Sequence, residues 1–200
     1  MTDITAQTAT ADTSRVPLLQ ISTGKFGMWV FLISEIMFFT GLIGSYLVLR
    51  LGAGAWPNPG AVLNTGLLGV NTFVLLSSSF SMALALHAIQ QGNTGALIRR
   101  LLLTALLGTV FLVIKGVDYV HMWHEGFTIA SSLFGSCYYL LTGFHALHVF
   151  SGVILLLYLA AAAARGMFSA GEHTRVECAG LYWHFIDIVW VVLFAILCLV

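Results

Sequence analysis

Five stretches of this 200-residue chain run for about twenty residues or more with almost no charge. Few folds accept such a pattern. A helix that crosses the hydrocarbon core of a bilayer needs about 20 mostly apolar residues, and there its backbone must satisfy its own hydrogen bonds. The stretches are 26–49, 66–89, the run from after Arg99 and Arg100 to 123, 133–164 and 178–200. The expected fold is therefore all-α: one domain of five transmembrane helices over 25–200, preceded by a mobile polar tail over 1–24. That tail is rich in Thr and Ala and has no apolar core. The apolar stretch after Lys25 is too long for a cleavable signal peptide. Polar breaks separate the spans, chief among them the cluster Trp56-Pro57-Asn58-Pro59-Gly60 and the hydrophilic loop 165–177.

Charge narrows the function classes. Eight basic and eight acidic residues make up 8% of the chain, against 59% hydrophobic residues and a mean hydropathy of +0.96. A nucleic-acid binder needs a basic face and a disordered chain needs low hydrophobicity, so both are excluded. Cys137, Cys178 and Cys198 lie in apolar runs, as buried free thiols do. Arg15, Lys25, Arg99, Arg100, Arg165 and Arg175 fall on one side of a five-span topology and only Arg50 on the other. That bias places the N-terminus in the cytoplasm and the C-terminus outside. No repeat relates the spans, which argues against a transporter built from inverted halves.

Ionisable side chains at mid-membrane cost roughly 2.5–3.5 kcal/mol on insertion scales, so each demands a reason. Glu35 lies ten residues after Lys25, about 15 Å along a helix, with no charged partner in its own segment. It is either a carboxyl on a proton or oxygen route, or one hydrogen-bonded to a neighbouring helix for packing. Lys115 and Asp118, three apart, can pair. With His121, His124 and Glu125 they are expected to form an interfacial polar patch rather than a metal site. His145 and His148, also three apart, are expected to hydrogen-bond across a packed interface rather than ligate haem. Gly143, Ala146 and Gly152 would supply the small-residue stripe for that packing. In the last span Glu177 and His184 are seven apart, and His184 and Asp187 three apart, so a carboxylate is expected on each side of this histidine. Among catalytic signatures, the chain carries no Walker loop and no CxxC pair.

Four segments, in order, resemble haem-copper oxidase subunit III in its five-helix bacterial form. Gly27-Met28-Trp29-Val30-Phe31-Leu32-Ile33-Ser34-Glu35-Ile36-Met37-Phe38-Phe39 resembles the helix with that family's membrane-embedded carboxyl. Lys115 to Tyr119, followed by Gly126-Phe127-Thr128-Ile129, is similar to its acidic-Tyr segment and loop, with Asp118 where a Glu is usual. Tyr139 to Val149, with Thr142-Gly143-Phe144-His145-Ala146-Leu147-His148-Val149, resembles its most recognisable motif, and Tyr182-Trp183-His184-Phe185-Ile186-Asp187-Ile188-Val189-Trp190 resembles its last helix. Glu35 and Phe144 are of the cytochrome c oxidase type rather than the quinol oxidase type.

The resemblance implies an accessory, non-redox subunit in the bacterial inner membrane. It would pack against catalytic subunit I and subunit II and meet cytochrome c only through the complex. It would carry no catalytic or metal site; haems and copper would sit in the partner subunits. It would support proton uptake and complex stability, hold structural phospholipids and border an oxygen path. The intramembrane carboxyl falls on Glu35. The polar network or lipid and subunit packing falls on Trp29, Lys115, Asp118, His145, His148, Arg165, Glu177, His184 and Asp187. The alternatives are an accessory subunit of a quinol oxidase or nitric oxide reductase, or a membrane cytochrome holding haem b through His87, His121, His145, His148 or His184.

Overall fold

A computed structural model describes residues 23–57, 63–168 and 173–198. Most of the expected tail, and residues 58–60 of the Pro/Gly cluster, lie outside the described residues. Among those described there are five helices and no strand: α1 (Thr23–Gly52), α2 (Thr65–Gln90), α3 (Thr94–His124), α4 (Leu133–Ala164) and α5 (Thr174–Cys198). All five are long and apolar enough to cross a membrane.

The helices overrun the apolar windows at several ends. α1 starts at Thr23, α3 at Thr94 with Arg99 and Arg100 inside it, and α5 at Thr174. Helix ends are set by capping, not by hydropathy. Asn64, Asn93 and Ser132 each accept the backbone N–H three residues on, at 3.1, 2.9 and 3.0 Å. Each thereby satisfies a donor that the first turn leaves open. Gly92, Gly126 and Gly166 have φ of 72°, 80° and 71°, and the N–H after each reaches back to close a six-residue turn. These are the left-handed caps that glycine adopts at least cost.

α2 packs on α3, α3 on α4, and α5 closes the bundle against α2 and α4; α1 lies outside, against α5 and α4. Only 11% of the span window of α1 is buried within the chain, against 33–44% for the others. In lipid the tails are as apolar as the side chains, so close packing and interhelical hydrogen bonds hold such a bundle together. Both meet at Trp183. Its ring abuts Gly108 of α3 and Gly152 of α4, and its Nε1 donates to Ser78 Oγ of α2 at 2.9 Å. Two turns along, Trp190 donates to Thr72 Oγ1 at 2.9 Å and meets Phe111 edge-on at 4.8 Å.

The small-residue contact does not follow the expected stripe through Gly143. Gly152 is a contact point, but a Cβ on Gly143 would meet nothing within 4 Å. The close approach runs through Gly108, Gly152 and one indole instead.

Candidate functional site

Glu35 of α1 meets His148 of α4, 113 residues away. Its Oε2 lies 2.9 Å from His148 Nε2. The other ring nitrogen, Nδ1, is 2.7 Å from the Phe144 carbonyl. A carbonyl only accepts, so Nδ1 carries a hydrogen. One proton then remains for the Glu35–His148 contact, and it sits either on the carboxyl or on Nε2. The pair can exchange it without moving a heavy atom. Phe38 and Phe39 lie against the imidazole, with centroids at 6.2 and 5.0 Å. The Ser151 and Tyr182 hydroxyls, 2.7 Å apart, gather on the His148 carbonyl. Three helices thus converge on one titratable pair. Nearer the start of α1, Lys25 pairs with Glu177 of α5 at 2.6 Å.

Lys115 and Asp118 form a second centre inside the bundle. Their charges are 3.0 Å apart, and the residues are 2% and 7% exposed. Tyr138 of α4 touches both: its hydroxyl contacts the ammonium and donates to Asp118 Oδ2 at 3.1 Å. The Tyr119 hydroxyl, 2.5 Å from Thr142 Oγ1, extends the network to the next turn of α4. The expected interfacial patch is therefore divided. Lys115 is enclosed, whereas His121 and Glu125 form an exposed pair at 3.6 Å. Asp118 alone touches both environments, lining a surface pocket with His121 and Glu125. Burial against α4, which spacing along α3 does not reveal, causes the division.

His145, fully buried, lies 3.1 Å from the Ile186 carbonyl of α5 through Nε2, and its ring meets Trp190 at a tilt, centroids 4.9 Å apart. Its neighbour His148 turns to α1, so the two do not face a common partner. His87 contacts Gln91 at 3.0 Å and His184 contacts Ser79 of α2 at 2.6 Å. Among the described residues no three His, Cys, Asp or Glu side chains are grouped to hold a metal ion.

No hydrogen bond or ion pair joins His184 to either of the carboxylates expected beside it. Glu177 binds Lys25 and lies 3.8 Å from His173, while Asp187 turns to Ser79 of α2, the residue that His184 also contacts. Shared helical face does not bring these side chains into contact, because each reaches across to another helix. Trp29 is exposed on α1 and lines a groove of about 290 Å³ with Lys25, Leu86, Glu177 and His184. Arg165 is exposed at the cap of α4. Tyr138, Ser78 and Ser79 escaped the sequence reading. Small or hydroxyl-bearing residues within apolar runs are the signal that marks such partners.

A family model described as Cytochrome c oxidase subunit III matches residues 3–199. The chain belongs to that family. A probable cytochrome c oxidase subunit 3 of Mycobacterium leprae is 38% identical over 199 residues, covering 98% of each chain. That of Nocardia farcinica is 40% identical over 170 residues, 84% of each chain. A cytochrome c oxidase subunit 3 of Synechocystis is 42% identical over 171 residues, 84% of this chain and 72% of its own. As a member of the subunit III family, the chain is a multi-pass membrane protein and an accessory subunit of a haem-copper oxidase, the proton-pumping oxidoreductase of aerobic respiration.

Proposed function

We propose that this subunit packs against catalytic subunit I and subunit II of a cytochrome c oxidase in the bacterial inner membrane, and that its Glu35–His148 pair sustains proton uptake during turnover. The pair carries the reading. It is a proton-sharing contact in the membrane interior, 18–19% exposed at the side chains, and so open at one edge. A site meant only for packing needs no group that can hold a proton in two places. The relatives' names support cytochrome c as the electron donor. Six cationic residues against one across the expected loops support a cytoplasmic N-terminus. The groove beside Trp29, apolar within and carrying Lys25 and Glu177, suits the neck of a phospholipid. The apolar bundle gives oxygen a phase it prefers to water.

Glu35→Gln tests the reading in the purified oxidase. Glutamine can still donate to His148 Nε2 but cannot share a titrating proton. Assembly and initial turnover are expected to match the native complex, with faster loss of activity during sustained turnover. Glu35→Ala, which also unties α1 from α4, is expected to add weaker retention of the subunit in detergent. If Glu35→Gln inactivates at the native rate and only Glu35→Ala is impaired, the pair is a structural tie and nothing more.

A further inference from the structure

The groove between α2 and α5 holds polar groups that the described residues satisfy only in part. His184 and Asp187 lie ten and thirteen residues into the 25-residue helix α5, about 15 and 20 Å from its start. That is the middle of a bilayer. Ser79 occupies His184 Nδ1, but Nε2 of this half-buried ring has no partner among the described residues. Asp187, 4% exposed, lines the same groove beside Ser79, whose single hydroxyl proton His184 Nδ1 competes for, so at least one carboxylate oxygen has no donor among the described residues. The rim is apolar and outward-facing: Leu76, Ile188 and Val191 are 46%, 64% and 42% exposed.

Lipid tails offer neither donor nor acceptor, so hydrocarbon against this groove leaves the imidazole and carboxyl unsatisfied. Elsewhere on the spans Ser34, Ser45, Ser77 and Thr109 turn their hydroxyls back to carbonyls of their own helices and face lipid without penalty. The faces of α3 and α4 that carry Val113, Val120 and Phe150 are apolar and exposed. A subunit of a complex must give at least one face to a neighbour. The face with polar groups unsatisfied at mid-membrane is the one that gains by being covered.

We propose that this groove, of about 430 Å³, seats a transmembrane helix of a partner oxidase subunit, which brings a hydrogen-bonding side chain to His184 with Asp187 beneath it. The proposal rests on the reading of the chain as an oxidase subunit and names the surface it uses. His184 would then be a specificity point for assembly, since an apolar helix in the groove leaves it unpaired.

The test is site-specific photo-crosslinking in membranes that contain the full complex. A photoreactive residue is placed at Ile188 or Val191 in the groove, or at Val113, Val120 or Phe150 as comparison. Adducts between the groove positions and a haem-bearing oxidase subunit are expected. His184→Phe should lower their yield about tenfold, the effect of losing one well-buried contact. Ile188→Trp, which fills the groove from an outward-facing position and leaves the bundle interior intact, should lower co-purification of that subunit, and Val113→Trp should not. Groove adducts only to lipid or to a second copy of this chain overturn the proposal. Adducts to the oxidase subunit from Val113, Val120 or Phe150 with the groove silent also overturn it, and leave the oxidase reading standing. No oxidase adduct from any position, with no haem-bearing polypeptide co-purifying, overturns both.

Discussion

Asp118→Leu is expected to cost the bundle about 3–5 kcal/mol, the usual penalty for stranding one charge of a buried pair. Lys115 sits at 2% exposure with an ammonium that has three hydrogens to place. Asp118 takes one at 3.0 Å and the Tyr138 oxygen another. Without the carboxylate, the Tyr138 hydroxyl also loses its own acceptor, so two groups are orphaned by one change. Tyr138, Tyr119 and Trp190 hold their rings 4.5, 5.0 and 5.8 Å from the ammonium. Each such contact gives roughly 0.5–2 kcal/mol, which softens the loss and does not cancel it. Removing both charges is a different case. Lys115→Met with Asp118→Leu replaces the pair by apolar side chains, and stability is expected to return to within about 1–2 kcal/mol of native, because neither charge is then buried alone. Loss of helical signal on titrating the detergent-solubilised chain with a denaturing detergent measures both. A double variant as unstable as Asp118→Leu would show that the pair is not the source of the cost.

The two centres show what a linear pattern can and cannot convey. Glu35 declared itself by depth: a carboxyl ten residues beyond Lys25 needs a reason wherever it points. Its partner, 113 residues on, could be seen only once α1 and α4 were laid side by side. The five spans were legible because their length is set by bilayer thickness, which acts on local composition. Their ends were not, since Asn93 and the left-handed glycines act through single hydrogen bonds that hydropathy averages away. Spacing misled where it was asked to stand for contact. Glu177, His184 and Asp187 follow one face of α5, yet Glu177 reaches Lys25 of α1 while His184 and Asp187 turn to Ser79 of α2 in an open groove. The i, i+3 rule held for Lys115 and Asp118 because both ends of that contact lie on one helix. Gly143 and Gly108 look alike in sequence, and only the neighbouring helix tells them apart.

Gly108→Ala and Gly143→Ala are expected to change stability in opposite directions. Both glycines lie inside helices, where alanine is favoured by up to about 1 kcal/mol. At Gly143 nothing lies within 4 Å of the added carbon, so that preference is gained outright and the variant is more stable. At Gly108 the same carbon would sit 2.6 Å from Trp183 Cη2 and 3.0 Å from Val153 Cγ2. The indole cannot yield by rotating, because it is 1% exposed, hydrogen-bonded to Ser78 and backed by Gly152, where a Cβ would stand 2.9 Å from Cζ3. Helices α3 and α5 must separate or the ring must leave its rotamer. Overpacking of this kind costs about 1–3 kcal/mol, which exceeds the propensity gain, so Gly108→Ala is destabilised. Trp183→Phe provides the decisive background. It removes the distal atoms that meet the new methyl, at the expense of the Ser78 hydrogen bond, so adding Gly108→Ala to it should cost nothing further. Thermal melts of the four members of this cycle measure the coupling. Additive losses would place the fault in the backbone of α3 rather than at the indole, and the close approach of α3, α4 and α5 would then have some cause other than the space reserved for one ring.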